Sequence, residues 1–122
     1  MKFSESLKKS RDFQKVYNQG TSYANKYLVM YVLKNGTNCN RIGISVSKKV
    51  GNSVIRHRIT RLIREGYRLQ EDMFNSGLDI VVIARVSVKN ASFWDVKKSL
   101  LYLGGLHRIL IGNDNREEMG FF

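Results

Sequence analysis

The residues in this chain whose type and spacing could do chemistry are arginines. Arg56, Arg58, Arg61, Arg64 and Arg68 recur every two to four positions, with Glu65 as the one acid among them. At about 100° per residue, Arg61, Arg64 and Arg68 share one stripe with His57 and Thr60. Ile55, Ile59, Leu62, Ile63, Gly66 and Leu69 form the opposite one, and Arg56 and Arg58 flank the first turn. An arginine fork holds phosphate oxygens bidentately and stacks on bases, so a one-sided arginine stripe suits a polyanion. A helix that needed only solubility would more often mix Lys with Glu.

The net charge of +11 and the pI near 10.0 point the same way. The excess is localised. Residues 48–68 hold seven basic residues against one acid, a net +6; residues 1–15 hold +3; residues 71–84 and 112–122 are acidic. A second constellation is aromatic. Phe13 and Tyr17 lie at i, i+4, and Tyr31 lies in an apolar run. Their spacing fits ordinary core packing, and it also fits a surface on which single-stranded bases stack without being read.

Nothing comparable supports catalysis by the chain. A metal-dependent nuclease needs paired carboxylates, or a base with a positioned acid. Glu71-Asp72 and Glu117-Glu118 are isolated pairs expected on solvated surface. His107 has no acidic neighbour in sequence, and His57 lies on the arginine stripe. Ser45 and Ser47 make no nucleophile elbow, and Gly43 and Gly51 make no phosphate loop. Trp94 reads as packing. Cys39 is the one cysteine, which excludes an intramolecular disulfide and a cysteine-based zinc site. Its usage is that of a reducing cytosol, so a cytoplasmic location is expected. The N-terminal MKFSESLKKSRDF has no apolar segment of the signal-peptide kind, and no apolar run approaches a membrane span, so no membrane partner is expected.

The elements that must position these residues follow from periodicity and punctuation. With 122 residues, 43% apolar and 25% charged, the chain suits one domain with one modest core. Helix is expected over 10–19, capped by Ser10 and stopped by Gly20. Strand is expected over 23–33 and over 41–47, with the Asn35-Gly36 turn making them a hairpin. Asn52 should cap a long helix over 53–70. The apolar run 78–85 reads as a central strand. Ser92 and Asp95 resemble a capping box for a third helix carrying Phe93, Val96, Leu100 and Leu103, which Gly104-Gly105 weakens. The order α-β-β-α-β-α is an α+β sandwich, helices against one small sheet, in a single domain over 1–111. Residues 112–122 are expected to be an acidic, mobile tail.

The stretch GISVSKKVGNSVIRHRITRLIRE, residues 43–65, resembles the signature of the bacterial ribonuclease P protein component. RDFQKVY at 11–17 is similar to that family's first helix, and 78–85 to its strand after the basic helix. The likeness covers about residues 8–103. The family usually has Arg-Asn-Arg followed by Ile-Lys-Arg, and here His57 and Thr60 replace the Asn and the Lys.

The resemblance implies a protein without catalytic residues, and it points to no metal site on the protein itself. The ribonuclease P RNA would be the ribozyme and would hold the catalytic magnesium, while the holoenzyme removes the 5′ leader of precursor tRNA. It implies that Asn52, Arg56, His57, Arg58, Thr60, Arg61, Arg64 and Arg68 bind that RNA. It assigns Phe13, Tyr17, Tyr31, Lys48 and Lys49 to the leader, and it implies a left-handed strand–helix–strand crossover, which periodicity cannot show. The alternatives are a ribosome-associated RNA-binding protein with no nuclease role, which would not need a single-stranded cleft, and a DNA-binding helix. The latter normally follows a second helix across a short turn, and none precedes this one.

Overall fold

The computed structural model describes residues 3–112. All but the first residue of the acidic tail expected over 112–122 lies outside them. Eight principal elements follow in order: β1 (Ser4–Ser6), α1 (Ser10–Gln19), β2 (Thr21–Ala24), β3 (Leu28–Lys34), β4 (Asn40–Ser45), α2 (Ser53–Arg68), β5 (Leu78–Ala84) and α3 (Phe93–Leu106). The strands form one mixed sheet in the order β1-β4-β5-β3-β2. β1, β4 and β5 run parallel to one another, and β3 and β2 run antiparallel to their neighbours. The α+β class stands, with five strands where three were expected.

β5 is the centre because its sequence is apolar on both faces: every residue but Ile83 is buried. That is why the expected hairpin of the second and third strands does not form. The Asn35-Gly36 turn exists, with Gly36 at φ 72°. Its polar groups, however, reach across to β5. The Asn35 amide donates to Gly77 O at 2.9 Å, and Asn35 Nδ2 donates to Asp79 Oδ1 at 3.0 Å. β5 thus fills the slot between β3 and β4, and α2 carries the chain between the adjacent parallel strands β4 and β5.

The run 23–33, expected as one strand, is a tight β2–β3 hairpin. Asn25 supplies the bend: its Oδ1 accepts from the amides of Tyr27 (3.1 Å) and Leu28 (2.9 Å). The first helix is capped at Lys9, not by Ser10, which is its first helical residue. Gly20 ends it in extended conformation, so its need for glycine is space: a Cβ would stand 2.5 Å from Val16 O and 2.9 Å from Val32 O. Asn52 does cap α2, accepting from the Ile55 amide at 3.0 Å. That helix ends at Arg68, leaving Leu69 half exposed instead of in the apolar stripe. The Ser92–Asp95 capping box forms in both directions, and α3 continues through Gly104-Gly105 to Leu106.

Alternation along the strands makes two cores of unequal size. Leu28, Met30, Val32, Ile42, Ile80 and Val82 face α2 and α3, meeting Ile59, Ile63, Tyr67, Val96, Leu100 and Leu103. Each such buried side chain contributes roughly 1.5–3 kcal/mol relative to exposure. The other face carries only α1, which buries Leu7, Val16 and Val81 and leaves Phe13, Tyr17, Tyr31, Leu33 and Ile83 half covered.

Candidate nucleic-acid interface

The arginine stripe is a surface, as its spacing requires. Ile59, Ile63, Gly66 and Tyr67 are buried beneath α2, while His57, Arg58, Arg61, Arg64 and Arg68 are exposed. Their engagement differs. Arg68 forms a two-pronged pair with Glu65, whose carboxyl it holds below the usual range. Arg58 donates to Lys89 O at 3.0 Å, and the Thr60 hydroxyl donates to Arg56 O at 2.9 Å. The side chains of Arg56, Arg61 and Arg64 make no hydrogen bond or ion pair within the described residues. Arg56 Nε is shielded from solvent without a partner. It sits in a groove lined by Val46, Ser53, Arg56, His57, Thr60, Arg61 and Arg64. A shielded guanidinium N–H with no acceptor is costly; the exposed arginines of the same groove, Arg61 and Arg64, are the ones open to an anion.

The aromatic residues form a separate site on the opposite face of the sheet. Tyr17 packs edge-on to Tyr31 with ring centroids 5.1 Å apart, and Phe13 lies 6.4 Å from Tyr17. Phe13 rests on β4 where Gly43 has no side chain. Burial pushes the Tyr17 hydroxyl's pKa up, and the neighbouring Ser45 side chain pulls it partly back. α1 is tied down by a charged cluster at one end of this face. Arg41 Nε and Nη2 donate to the two Asp79 oxygens at 2.8 and 2.6 Å, and Arg41 lies 3.5 Å from Asp12 on α1. The rings are therefore half buried: packed enough to be held, open enough to stack.

The two sites meet at the end of β4. Ser45 lies beside Tyr17 on the α1 face, and the next residue, Val46, lines the arginine groove. Lys48 and Lys49 follow in an exposed turn closed by the Val50 amide bonding Ser47 O at 3.1 Å. One strand end thus feeds both surfaces.

The chain also matches known proteins. A family model for ribonuclease P matches residues 1–106. The ribonuclease P protein component of Lachnoclostridium phytofermentans is 57% identical over 111 residues, covering 91% of this chain and 96% of that one. That of Clostridioides difficile is 55% identical over 98 residues, 80% of this chain and 86% of the other. The chain belongs to the ribonuclease P protein family. The ribonuclease P protein of Staphylococcus aureus superposes with a TM-score of 0.81 at 36% identity, covering 88% of this chain and 99% of that one. That of Thermotoga maritima gives 0.75 at 36% identity, covering 81% and 94%. The family's activity is that of a ribonucleoprotein endonuclease processing the 5′ leaders of precursor tRNA, and this chain is its protein component.

Other expectations within the ribonuclease P protein are corrected by its structure. Glu71 is not on solvated surface: it is buried and accepts from the Phe3 amide at 3.2 Å, holding the N-terminal strand in place. Glu117-Glu118 lies outside the described residues. Trp94 does not pack inside; it is 63% exposed. His107 is half buried, with Nε2 2.8 Å from Met30 O and the Tyr23 ring edge-on, and burial lowers its pKa. It lines neither the arginine groove nor the aromatic cluster. Among the described residues, no helix is long and apolar enough to cross a membrane, and no three His, Cys, Asp or Glu residues cluster as a metal would need. Sequence reasoning missed Gly43, Ser45 and Val46 as site residues. Their alternation on a strand beside Phe13's helix becomes a signal only once the sheet order is known.

Proposed function

We propose that this chain holds two RNAs on opposite faces of its sheet. The α2 surface, from Asn52 through Arg56, His57, Arg58, Thr60, Arg61, Arg64 and Arg68, takes the ribonuclease P RNA. The α1 cleft of Phe13, Tyr17 and Tyr31, with Lys48 and Lys49 beside it, takes the 5′ leader of precursor tRNA. The observation that carries this reading is the parting of Ser45 and Val46 into two surfaces that share one strand end. The exposed Arg61 and Arg64, which make no hydrogen bond or ion pair among the described residues, support a phosphate in the groove, and the half-open rings support stacking on a leader of variable sequence.

Magnesium, held by the RNA, would supply the charge neutralisation and the activated water for phosphodiester cleavage. The chain's own residues bind and orient. Arg56, Arg61 and Arg64 lower the repulsion between phosphates of ribozyme and substrate, so the assembled complex needs less free magnesium. The test is 5′ leader cleavage by ribonuclease P RNA at limiting magnesium, with and without this protein. Stimulation is expected; its absence would overturn the reading.

A further inference from the structure

Trp94 is the chain's single tryptophan, and neither RNA surface uses it. It stands near the start of α3 with 63% of its area exposed. Isolated exposed apolar residues are common on protein surfaces, and Val54 is more exposed still. Trp94 differs in its company. Its ring packs edge-on to Phe93, with centroids 5.5 Å apart and planes at 70°, and Lys97 Nζ lies 5.4 Å from its centroid. Phe93 in turn closes a groove whose other walls are Arg58, Arg61, Leu62, Arg64 and Glu65. α3 is fixed to the segment that follows α2, since Gln70 Nε2 donates to Lys97 O at 2.9 Å.

An aromatic pair therefore continues the arginine surface onto a second helix. A stacked ring beside cations matches a nucleotide, whose base takes the π-face and whose phosphate takes the charge. An apolar protein partner would instead have to desolvate Arg58, Arg61, Arg64 and Lys97, which is costly. The one acid in the groove, Glu65, is already paired with Arg68.

We infer that Trp94, with Phe93 and Lys97, forms a stacking site for one unpaired base of the RNA gripped by α2. This rests on the assignment of α2 to ribonuclease P RNA. The site would add affinity through a bulged or looped nucleotide next to the helical segment that the arginines hold. It would favour RNAs with an unpaired base at that place over a continuous duplex.

Because Trp94 is the single tryptophan, its emission reports this site alone. Titrating the protein with ribonuclease P RNA should quench that emission to a plateau at one RNA per protein. Trp94→Ala should weaken RNA binding about tenfold, the scale of one lost base stack, with an unchanged melting temperature. Trp94→Phe should recover most of the affinity. Arg61→Ala should raise the RNA concentration needed and leave the plateau quench intact. Unaltered emission at saturating RNA, or wild-type affinity in Trp94→Ala, would overturn the stacking site and leave the α2 assignment standing. Failure of the wild-type protein to bind the RNA in a filter assay would overturn both. An emission shift that tracks protein concentration without RNA would mark contact with a second copy and overturn the proposal.

Discussion

Phe13 packs its ring onto Gly43 so closely that a Cβ on residue 43 would stand 2.5 Å from the ring's Cζ. A glycine on a neighbouring strand thus sets the height of the ring above the sheet. Gly43→Ala should push Phe13 out of place at an overpacking cost of about 1–3 kcal/mol. We expect the reconstituted holoenzyme carrying Gly43→Ala to bind leader-bearing precursor tRNA several-fold more weakly, with mature tRNA bound as before. Equilibrium binding of the two substrates checks this, and thermal unfolding confirms that the variant is folded.

Arg61 and Arg68 lie on one stripe but should not behave alike. Among the described residues Arg61 makes no hydrogen bond or ion pair, whereas Arg68 is already paired with Glu65. Arg61→Ala should weaken binding to ribonuclease P RNA and flatten the slope of log K against log salt by about 0.7–0.9. Arg68→Ala should change that slope less, because part of its charge is spent within the helix. A salt titration of both variants separates them; equal slopes would contradict the distinction.

Asp79 anchors the base of the cleft. Burial alone would raise its pKa, but hydrogen bonds from Arg41 and Asn35 and the guanidinium charge more than offset this, leaving it below its ordinary 3.8. A depressed carboxylate contributes its stability fully above the unfolded pKa of about 3.9 and loses it as pH falls through the lower folded value. Asp79→Asn should cost about 1–3 kcal/mol at neutral pH, discounted because Arg41 is partly solvated. It should also flatten the fall in stability below about pH 4. Urea unfolding of both proteins across that range measures the two slopes.

The parts of this fold that could be read from sequence are those whose signal is local. α2 announces itself through Asn52, its apolar stripe and its arginines, and β5 through an apolar run that only a doubly covered strand can bury. What could not be read depends on neighbours. β1 is three residues with two exposed, and it exists because the β4 backbone from Asn40 to Ile42 offers it parallel partners. The break between β2 and β3 rests on Asn25, which bends the chain without glycine or proline. Periodicity tells which face of a strand is buried but not which strand lies beside it, so the insertion of β5 between β3 and β4 was hidden. With it were hidden the pairing of Phe13 with Gly43 and the parting of Ser45 and Val46. Trp94 is a different case: it lies about 100° off the stripe of Phe93, Val96, Leu100 and Leu103, a signal present in the sequence that a fuller helical wheel of α3 reads as exposure.

The proposed separation of two RNA surfaces by the sheet is tested most directly by a double-mutant cycle. Phe13→Ala, Arg61→Ala and the double variant would each be reconstituted with ribonuclease P RNA. Holoenzyme assembly and affinity for leader-bearing precursor tRNA against mature tRNA would then be measured for all three and for the wild type. Independent sites add within about 0.5 kcal/mol. The account predicts that Phe13→Ala lowers leader-dependent affinity about tenfold with assembly unchanged. It predicts that Arg61→Ala weakens assembly with leader affinity unchanged once assembly is saturated, and that the two losses add. A loss of assembly in Phe13→Ala, or a leader-specific loss in Arg61→Ala at saturation, would contradict it.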